Sequence, residues 1–134
     1  MIDLHLHLDG SLSESCCELL AKKNHIDLGE QFPSILYVPS DCPSLKEYLT
    51  RFELPLRLLQ DRESIEIAVK DLIFRLNKLG YIYAEIRFAP LLHLNQGLTQ
   101  FEVVEAAIKG LEESLNEYPD FDANLILCCM RHAD

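Results

Sequence analysis

Three short apolar segments, separated by long stretches with helical periodicity, are the feature that most constrains the fold of this chain. Residues 2–8 and 81–89 alternate between two sets of side chains, which predicts regular strands with two distinct faces, whereas residues 123–130 are nearly continuous in apolar residues, as in a strand buried on both faces. Helical crossovers between successive strands imply a parallel sheet. The sequence therefore predicts an α/β fold, and its 134 residues are enough for a single domain spanning 1–134 with one modest core.

The helical stretches are indicated by capping patterns followed by apolar residues at helical spacing. The first follows capping boxes at Ser11 and Ser15 and stops at Asn24; its expected inner residues are Cys16, Leu19 and Leu20. A short helix over 45–52 is expected to end before Pro55, and a long one covers 64–79. A last helix begins after Thr99, with an expected apolar stripe of Val103, Val104, Ala107, Ile108, Leu111 and Leu115.

Charge excludes two classes of partner. Twelve Lys and Arg against 22 Asp and Glu give a net charge of −10, which disfavours binding to nucleic acids and to anionic membranes. No apolar run is long enough to span a membrane, and the first residues do not form a signal peptide. Five cysteines, in two adjacent pairs and one single, do not form a disulfide framework. We therefore expect reduced thiols and a cytoplasmic protein.

The first strand carries the strongest chemical signal. His5 and His7 are two residues apart, so both side chains leave the same face of a strand, and Asp9 continues that face at the carboxyl end. Sites in parallel α/β folds lie at the carboxyl ends of strands. Two imidazoles on one rigid strand suit an ion such as zinc. Spacing alone leaves a second interpretation open, in which both histidines are polar surface residues of a half-exposed strand.

Other polar residues give weaker signals. Glu85 and Arg87 are same-face neighbours on the second strand, and we interpret them as structural ion-pair residues of a barrel interior, paired with each other or with charges on adjacent strands. Cys128 and Cys129 are interpreted as buried thiols. Three histidines have no local partner, and of these only the second and third lie where a site is expected: His25, His93 and His132.

Three motifs resemble one known family. The stretch His5-Leu6-His7-Leu8-Asp9-Gly10-Ser11 is similar to the H-x-H-x-D-G element that opens the adenosine deaminases, within the adenosine/AMP deaminase family of metal-dependent hydrolases. Residues 83–90 (YAEIRFAP) and 125–132 (LILCCMRH) resemble further family elements in the same order. The resemblance covers essentially the whole chain.

The resemblance implies a zinc-dependent (β/α)8 barrel that hydrolyses adenosine or 2′-deoxyadenosine to inosine or 2′-deoxyinosine and ammonia. His5 and His7 match the first two ligands of a single zinc ion, which in such sites lowers the pKa of a water. Asp9 matches a residue that holds the ribose 5′-hydroxyl of a purine nucleoside, where adenine deaminases usually have Glu. Phe52 is similar in position to an apolar residue of a substrate-gating helix.

Part of the family pattern is missing. No H-x-G-E element with its catalytic glutamate is present, nor are the remaining metal ligands. A complete barrel takes about 250 residues, so we expect the N-terminal portion of an incomplete barrel, with no catalytic residue of its own, weak zinc binding and no activity alone. The open strand edge should be covered by the missing C-terminal part or by a second copy.

Two alternatives stay open at this point. One is a different metal-dependent hydrolase of the same barrel class, such as an adenine deaminase. The other is a truncated, non-catalytic interaction module whose histidines bind nothing.

Overall fold

The computed structural model describes residues 1–37, 44 and 51–130. The strands are β1 (Ile2–His7), β2 (Tyr83–Phe88) and β3 (Asp122–Leu127). The helices are α1 (Glu14–Asn24), α2 (Glu53–Leu58), α3 (Arg62–Lys78) and α4 (Gln100–Glu117). Short 3-10 turns occur at Asp9–Ser11, Ser34–Leu36 and Pro90–His93.

The three strands form one parallel sheet in the order β1-β2-β3, as the alternation of segments predicts. Along β2, Ala84, Ile86 and Phe88 are buried and belong to the core shared with the helices. We call this side of the sheet the covered face. The alternate residues, including Glu85 and Arg87, are half-buried and lie on what we call the open face.

Helix α1 differs from its prediction at both its start and its inner face. Ser13, rather than Ser11 or Ser15, is the N-cap, and its side chain accepts a hydrogen bond from the Cys16 amide. Cys16 and Leu20 are buried as predicted, but Leu19 is exposed and Cys17 takes its place in the core. The side of α1 that packs against the core is therefore lined by Cys16, Cys17, Leu20 and Ala21.

The predicted helix over 45–52 lies mostly outside the described residues. Phe52 directly precedes α2, and Pro55 lies inside α2 instead of ending a helix. Proline is tolerated in the first turn because the amide it lacks has no partner within the helix there. Pro55 is buried and contributes to packing.

Helices α3 and α4 pack against each other and follow their predictions more closely. The expected inward residues of α3 are buried: Ile65, Ala68, Val69, Leu72, Ile73 and Leu76. The capping box at Thr99 is present. In α4, however, Ile108 is exposed, whereas the small residues Ala106, Gly110 and Ser114 are buried, and Gly110 lies against Glu66 and Val69 of α3. No helix in the described ranges has the length and apolar character needed to cross a membrane.

Strand β3 is more exposed than predicted. Ala123 is buried, but Asn124 and Leu127 are exposed, so the expectation of a strand buried on both faces is wrong for the structure described. Cys129 is exposed and Cys128 half-buried, so they are not buried thiols. The reason is position, because β3 is the last strand of the described sheet, and among its residues Ala123 and Leu125 pack with the core.

Candidate metal centre

The two histidines of β1 reach the open face through an irregularity in the strand. Asp3 lies opposite Ala84, whereas Leu6 lies opposite Ile86, so two residues of β1, Leu4 and His5, face a single residue of β2. This is a β-bulge. Strict alternation along β1 is therefore wrong before the bulge, because Asp3 aligns with a covered-face residue. The prediction that His5 and His7 share a face holds, since His7 lies opposite Arg87 on the open face.

The imidazole rings of His5 and His7 converge. Their Nε2 atoms are 3.3 Å apart, and the ring centroids are separated by 5.2 Å at an interplanar angle of 51°. Two Zn–N bonds of about 2.0–2.1 Å at a tetrahedral angle separate their nitrogen atoms by about 3.3–3.4 Å. Both side chains are exposed. The donor chemistry and the spacing therefore fit two ligands of one zinc ion, although a weak hydrogen bond between the rings fits the same distance.

Asp9 does not extend the strand as predicted, because β1 ends at His7 and Asp9 begins a 3-10 turn. Asp9 is buried, with 7% of its residue surface exposed. The next residue, Gly10, contacts Phe52 so closely that a Cβ at Gly10 would lie 2.9 Å from Cε1 of Phe52 and 3.6 Å from Cβ of His7. The turn thus brings the residue before α2 next to the end of β1.

Of the other two histidines that the structure describes, His93 alone lies in the interior. It is fully buried, its Nδ1 lies 2.7 Å from the carbonyl oxygen of Leu59, and its ring meets Phe88 edge-on. Burial lowers the pKa of His93, opposed by its hydrogen bond to Leu59 and the charge of Asp9. His25 is exposed at the end of α1. His132 lies outside the described residues.

Arg87 has a role that sequence reasoning missed. No ion pair joins it to Glu85 among the described residues, and pairing with charges of further barrel strands stays a prediction. Instead, Nη2 of Arg87 donates to the carbonyl oxygen of Leu4 at 2.8 Å, and Glu85 accepts from the Tyr83 hydroxyl at 3.3 Å. This role depends on the bulge, and the regular alternation of β1 in the sequence gives no sign of a bulge.

The described residues hold no cluster of three or more metal-ligating side chains, so His5 and His7 form an incomplete ligand set in this part of the chain. The family model for adenosine deaminase matches residues 1–134, the whole of the chain. The chain belongs to the adenosine deaminase family. The resemblance carried by the three motifs is thereby confirmed.

Individual relatives agree with this assignment. The chain is 51% identical to the adenosine deaminase of Haemophilus ducreyi over 138 residues, which cover 100% of this chain and 40% of that protein. It is 45% identical to the adenosine deaminase of Clostridium perfringens, with 98% of this chain and 40% of that protein covered. The chain therefore spans about 40% of the length of the curated relatives it matches.

Solved structures show the same fold. The adenine deaminase of Arthrobacter aurescens matches with a TM-score of 0.79 at 22% identity, over 94% of this chain and 38% of that one. An amidohydrolase from Burkholderia ambifaria, solved with bound Zn, matches with a TM-score of 0.80 at 16% identity, over 99% of this chain and 36% of that one. The three parallel strands and their helices thus form part of a larger barrel, as predicted.

Proposed function

We propose that residues 1–134 supply the first two metal ligands and part of the nucleoside-binding surface of a zinc-dependent adenosine deaminase. The reaction is hydrolysis of adenosine or 2′-deoxyadenosine to inosine or 2′-deoxyinosine and ammonia. The observation that carries the proposal is the convergence of the two Nε2 atoms of His5 and His7 at 3.3 Å on the open face, in a chain whose relatives are named adenosine deaminases.

In this proposal, His5 and His7 hold one zinc ion through neutral imidazole nitrogens. The ion supplies Lewis acidity, which lowers the pKa of a water to near neutrality. Rigid presentation from β1 fixes the direction of both rings, so that metal binding requires little reorganisation of this part of the chain.

Asp9 and Phe52 bind the nucleoside in the same proposal. A buried carboxylate pairs strongly with a hydroxyl donor that enters its pocket, because little water competes there. Asp9 is buried and follows His7 by two residues, which suits a sugar hydroxyl held beside the metal. Phe52 contacts Gly10 and presents an apolar ring to the same region, where a purine base would lie.

The isolated chain is expected to bind zinc weakly and to lack activity, because two ligands do not complete a zinc site. Exposed residues at the sheet, such as Ile2, Leu4 and Leu127, support pairing with the remainder of a barrel or with a second copy. Light scattering tests this pairing. A monomer of residues 1–134 that persists at high concentration would contradict it.

The activity is tested by incubating adenosine with the full natural chain that contains residues 1–134 and, separately, with residues 1–134 alone. Inosine is measured by chromatography and ammonia by a coupled assay. We expect turnover only by the full chain, with loss on chelation and recovery on addition of zinc. Zinc-dependent turnover by residues 1–134 alone, or no turnover by the full chain, would contradict the proposal.

We also propose a cytoplasmic, reducing location. The four described cysteines, Cys16, Cys17, Cys128 and Cys129, are free thiols in the structure, which supports it. Fractionation of cells that express the natural chain tests this. Recovery of the chain outside the cytoplasm would contradict it.

A further inference from the structure

The bulge in β1 decides which face of the sheet the two histidines occupy. Asp3 lies opposite Ala84 before the bulge, and the covered and open faces alternate along β2. If pairing continued from Asp3 without the extra residue, His5 would lie opposite Ile86 and His7 opposite Phe88. Both imidazoles would then point into the apolar core, since a slip of one residue moves every side chain to the other face.

The bulge also leaves one peptide unit outside the regular ladder. Leu4 and His5 have no partner residue in the register of β1 and β2, and the peptide that joins them carries the Leu4 carbonyl and the His5 amide. Unpaired backbone groups are costly unless another group satisfies them. The conformation of this peptide therefore depends on what hydrogen-bonds to its two ends.

Each end of this peptide is hydrogen-bonded by one side chain. The His5 amide donates to Oδ1 of Asp3 at 2.9 Å. The Leu4 carbonyl accepts from Nη2 of Arg87 at 2.8 Å. Arg87 lies directly opposite His7 in the register, so it reaches the bulge from the neighbouring strand on the open face.

We propose that Asp3 and Arg87 are positioning residues of the metal centre. By holding the two ends of the Leu4–His5 peptide, they fix the bulge and so direct His5 and His7 toward a common ion. The inference rests on the proposed metal site, but neither residue contacts the metal. A purely structural role would instead lower the stability of the chain while leaving the metal affinity of the folded protein unchanged.

The natural chain that contains residues 1–134, freed of metal, is titrated with Zn²⁺ alone, and the dissociation constant is measured by competition with a chelating dye at a temperature where each variant is folded. The test variants are Asp3→Ala and Arg87→Met. The conservative variants Asp3→Asn and Arg87→Lys keep an acceptor and a donor at the same places. The matched controls are Asp122→Ala, which removes a similar local bond to the Ala123 amide on β3, and Arg57→Met, which removes an exposed arginine.

We expect Asp3→Ala and Arg87→Met each to weaken Zn²⁺ binding by about 10- to 100-fold, as is usual when partners outside the ligand shell are lost. The conservative variants should recover most of the affinity, and the controls should match wild type. Unchanged affinity in both test variants, or an equal loss in the controls, would overturn the inference.

Exchange of the His5 amide with deuterium, measured by NMR without metal, gives a second test. We expect faster exchange in Asp3→Ala and Arg87→Met than in Asp3→Asn and Arg87→Lys. Equal exchange in all four would overturn the inference even if the variants were too unstable for zinc titration. A wild-type protein that binds no Zn²⁺ would contradict the proposed function. The exchange rates of the His5 amide would still test whether Asp3 and Arg87 stabilise the bulge.

Discussion

The ring of Phe52 lies against Gly10, at a distance that leaves no space for a side chain at the glycine. A Cβ there would lie 2.9 Å from Cε1 of Phe52, closer than carbon atoms pack. Gly10 is part of the turn that follows β1, so this contact joins the residue before α2 to the strand that carries His5 and His7.

Gly10→Ala should therefore displace Phe52 and weaken nucleoside binding. In the full natural chain, we expect KM for adenosine to rise while kcat changes less. The double variant Gly10→Ala, Phe52→Leu should recover part of the loss, because the smaller side chain makes room for the methyl group. Steady-state kinetics provide the measurement, and a double variant no better than Gly10→Ala would count against this packing argument.

Asp9→Ala should reduce nucleoside affinity more than it reduces the chemical step. Loss of a hydrogen bond to a charged group costs about 1.5–3 kcal/mol, which corresponds to a rise in KM of roughly 10- to 100-fold. Zinc affinity should stay close to wild type, since Asp9 is outside the His5–His7 pair. A loss confined to kcat or to metal content would show that Asp9 acts elsewhere.

Asp9→Glu distinguishes a nucleoside site from a free-base site. The longer side chain should weaken adenosine binding, because the buried turn fixes the position of the carboxylate. Competition by adenine and adenosine, measured on the same variant, is the readout. Adenosine binding unaffected by Asp9→Glu would contradict a sugar-binding role.

His93 should make stability depend on pH in the mildly acidic range. Burial lowers the pKa of His93 in the folded chain below the ordinary value of 6.5, against the weaker opposing effects of Leu59 and Asp9. As the pH falls below 6.5, the unfolded chain binds a proton that folded His93 does not, so the free energy of unfolding decreases. His93→Gln keeps a donor for the Leu59 carbonyl and should flatten this dependence. Urea unfolding at several pH values tests this, and equal slopes for both proteins would contradict it.

Gly110→Ala should destabilise the packing of α3 against α4. The added Cβ would lie 2.8 Å from the Glu66 carbonyl oxygen and 3.2 Å from Cβ of Val69. Overpacking costs about 1–3 kcal/mol and outweighs the helix-propensity gain of up to about 1 kcal/mol, because a backbone oxygen cannot easily move. Asn116→Ala, at an exposed position of the same helix, is the control and should not destabilise. A Gly110→Ala variant as stable as wild type would show that the helices separate without cost.

The sequence was most informative where periodicity alone determines the structure. The order of strands and helices, the inner residues of α3 and the common face of His5 and His7 follow from spacing, and the structure agrees. The bulge does not follow from spacing, because alternation in β1 is perfect in the sequence and only pairing with β2 reveals the extra residue. For the same reason the hydrogen bond from Arg87 to the Leu4 carbonyl oxygen could not be predicted from spacing.

Other differences depend on packing or on a choice between neighbouring residues. The burial of Cys17 and the exposure of Leu19 depend on which side of α1 packs against the core, and three neighbouring serines make the capping residue ambiguous in sequence. Pro55 was predicted to lie beyond the end of a helix, although the first turn of a helix accepts proline. Burial of His93 depends on its contact with Leu59, which is 34 residues away and invisible to local patterns.

Titration of the chain with Zn²⁺, followed by the imidazole NMR signals, tests the central claim most directly. We predict that the ring signals of His5 and His7 shift together along one binding curve that fits a single bound ion, while those of His25 and buried His93 stay in place. His5→Ala or His7→Ala should abolish the response of the remaining partner. Ring signals of His5 and His7 that do not shift on addition of Zn²⁺, or that shift independently of each other, would contradict a shared metal centre.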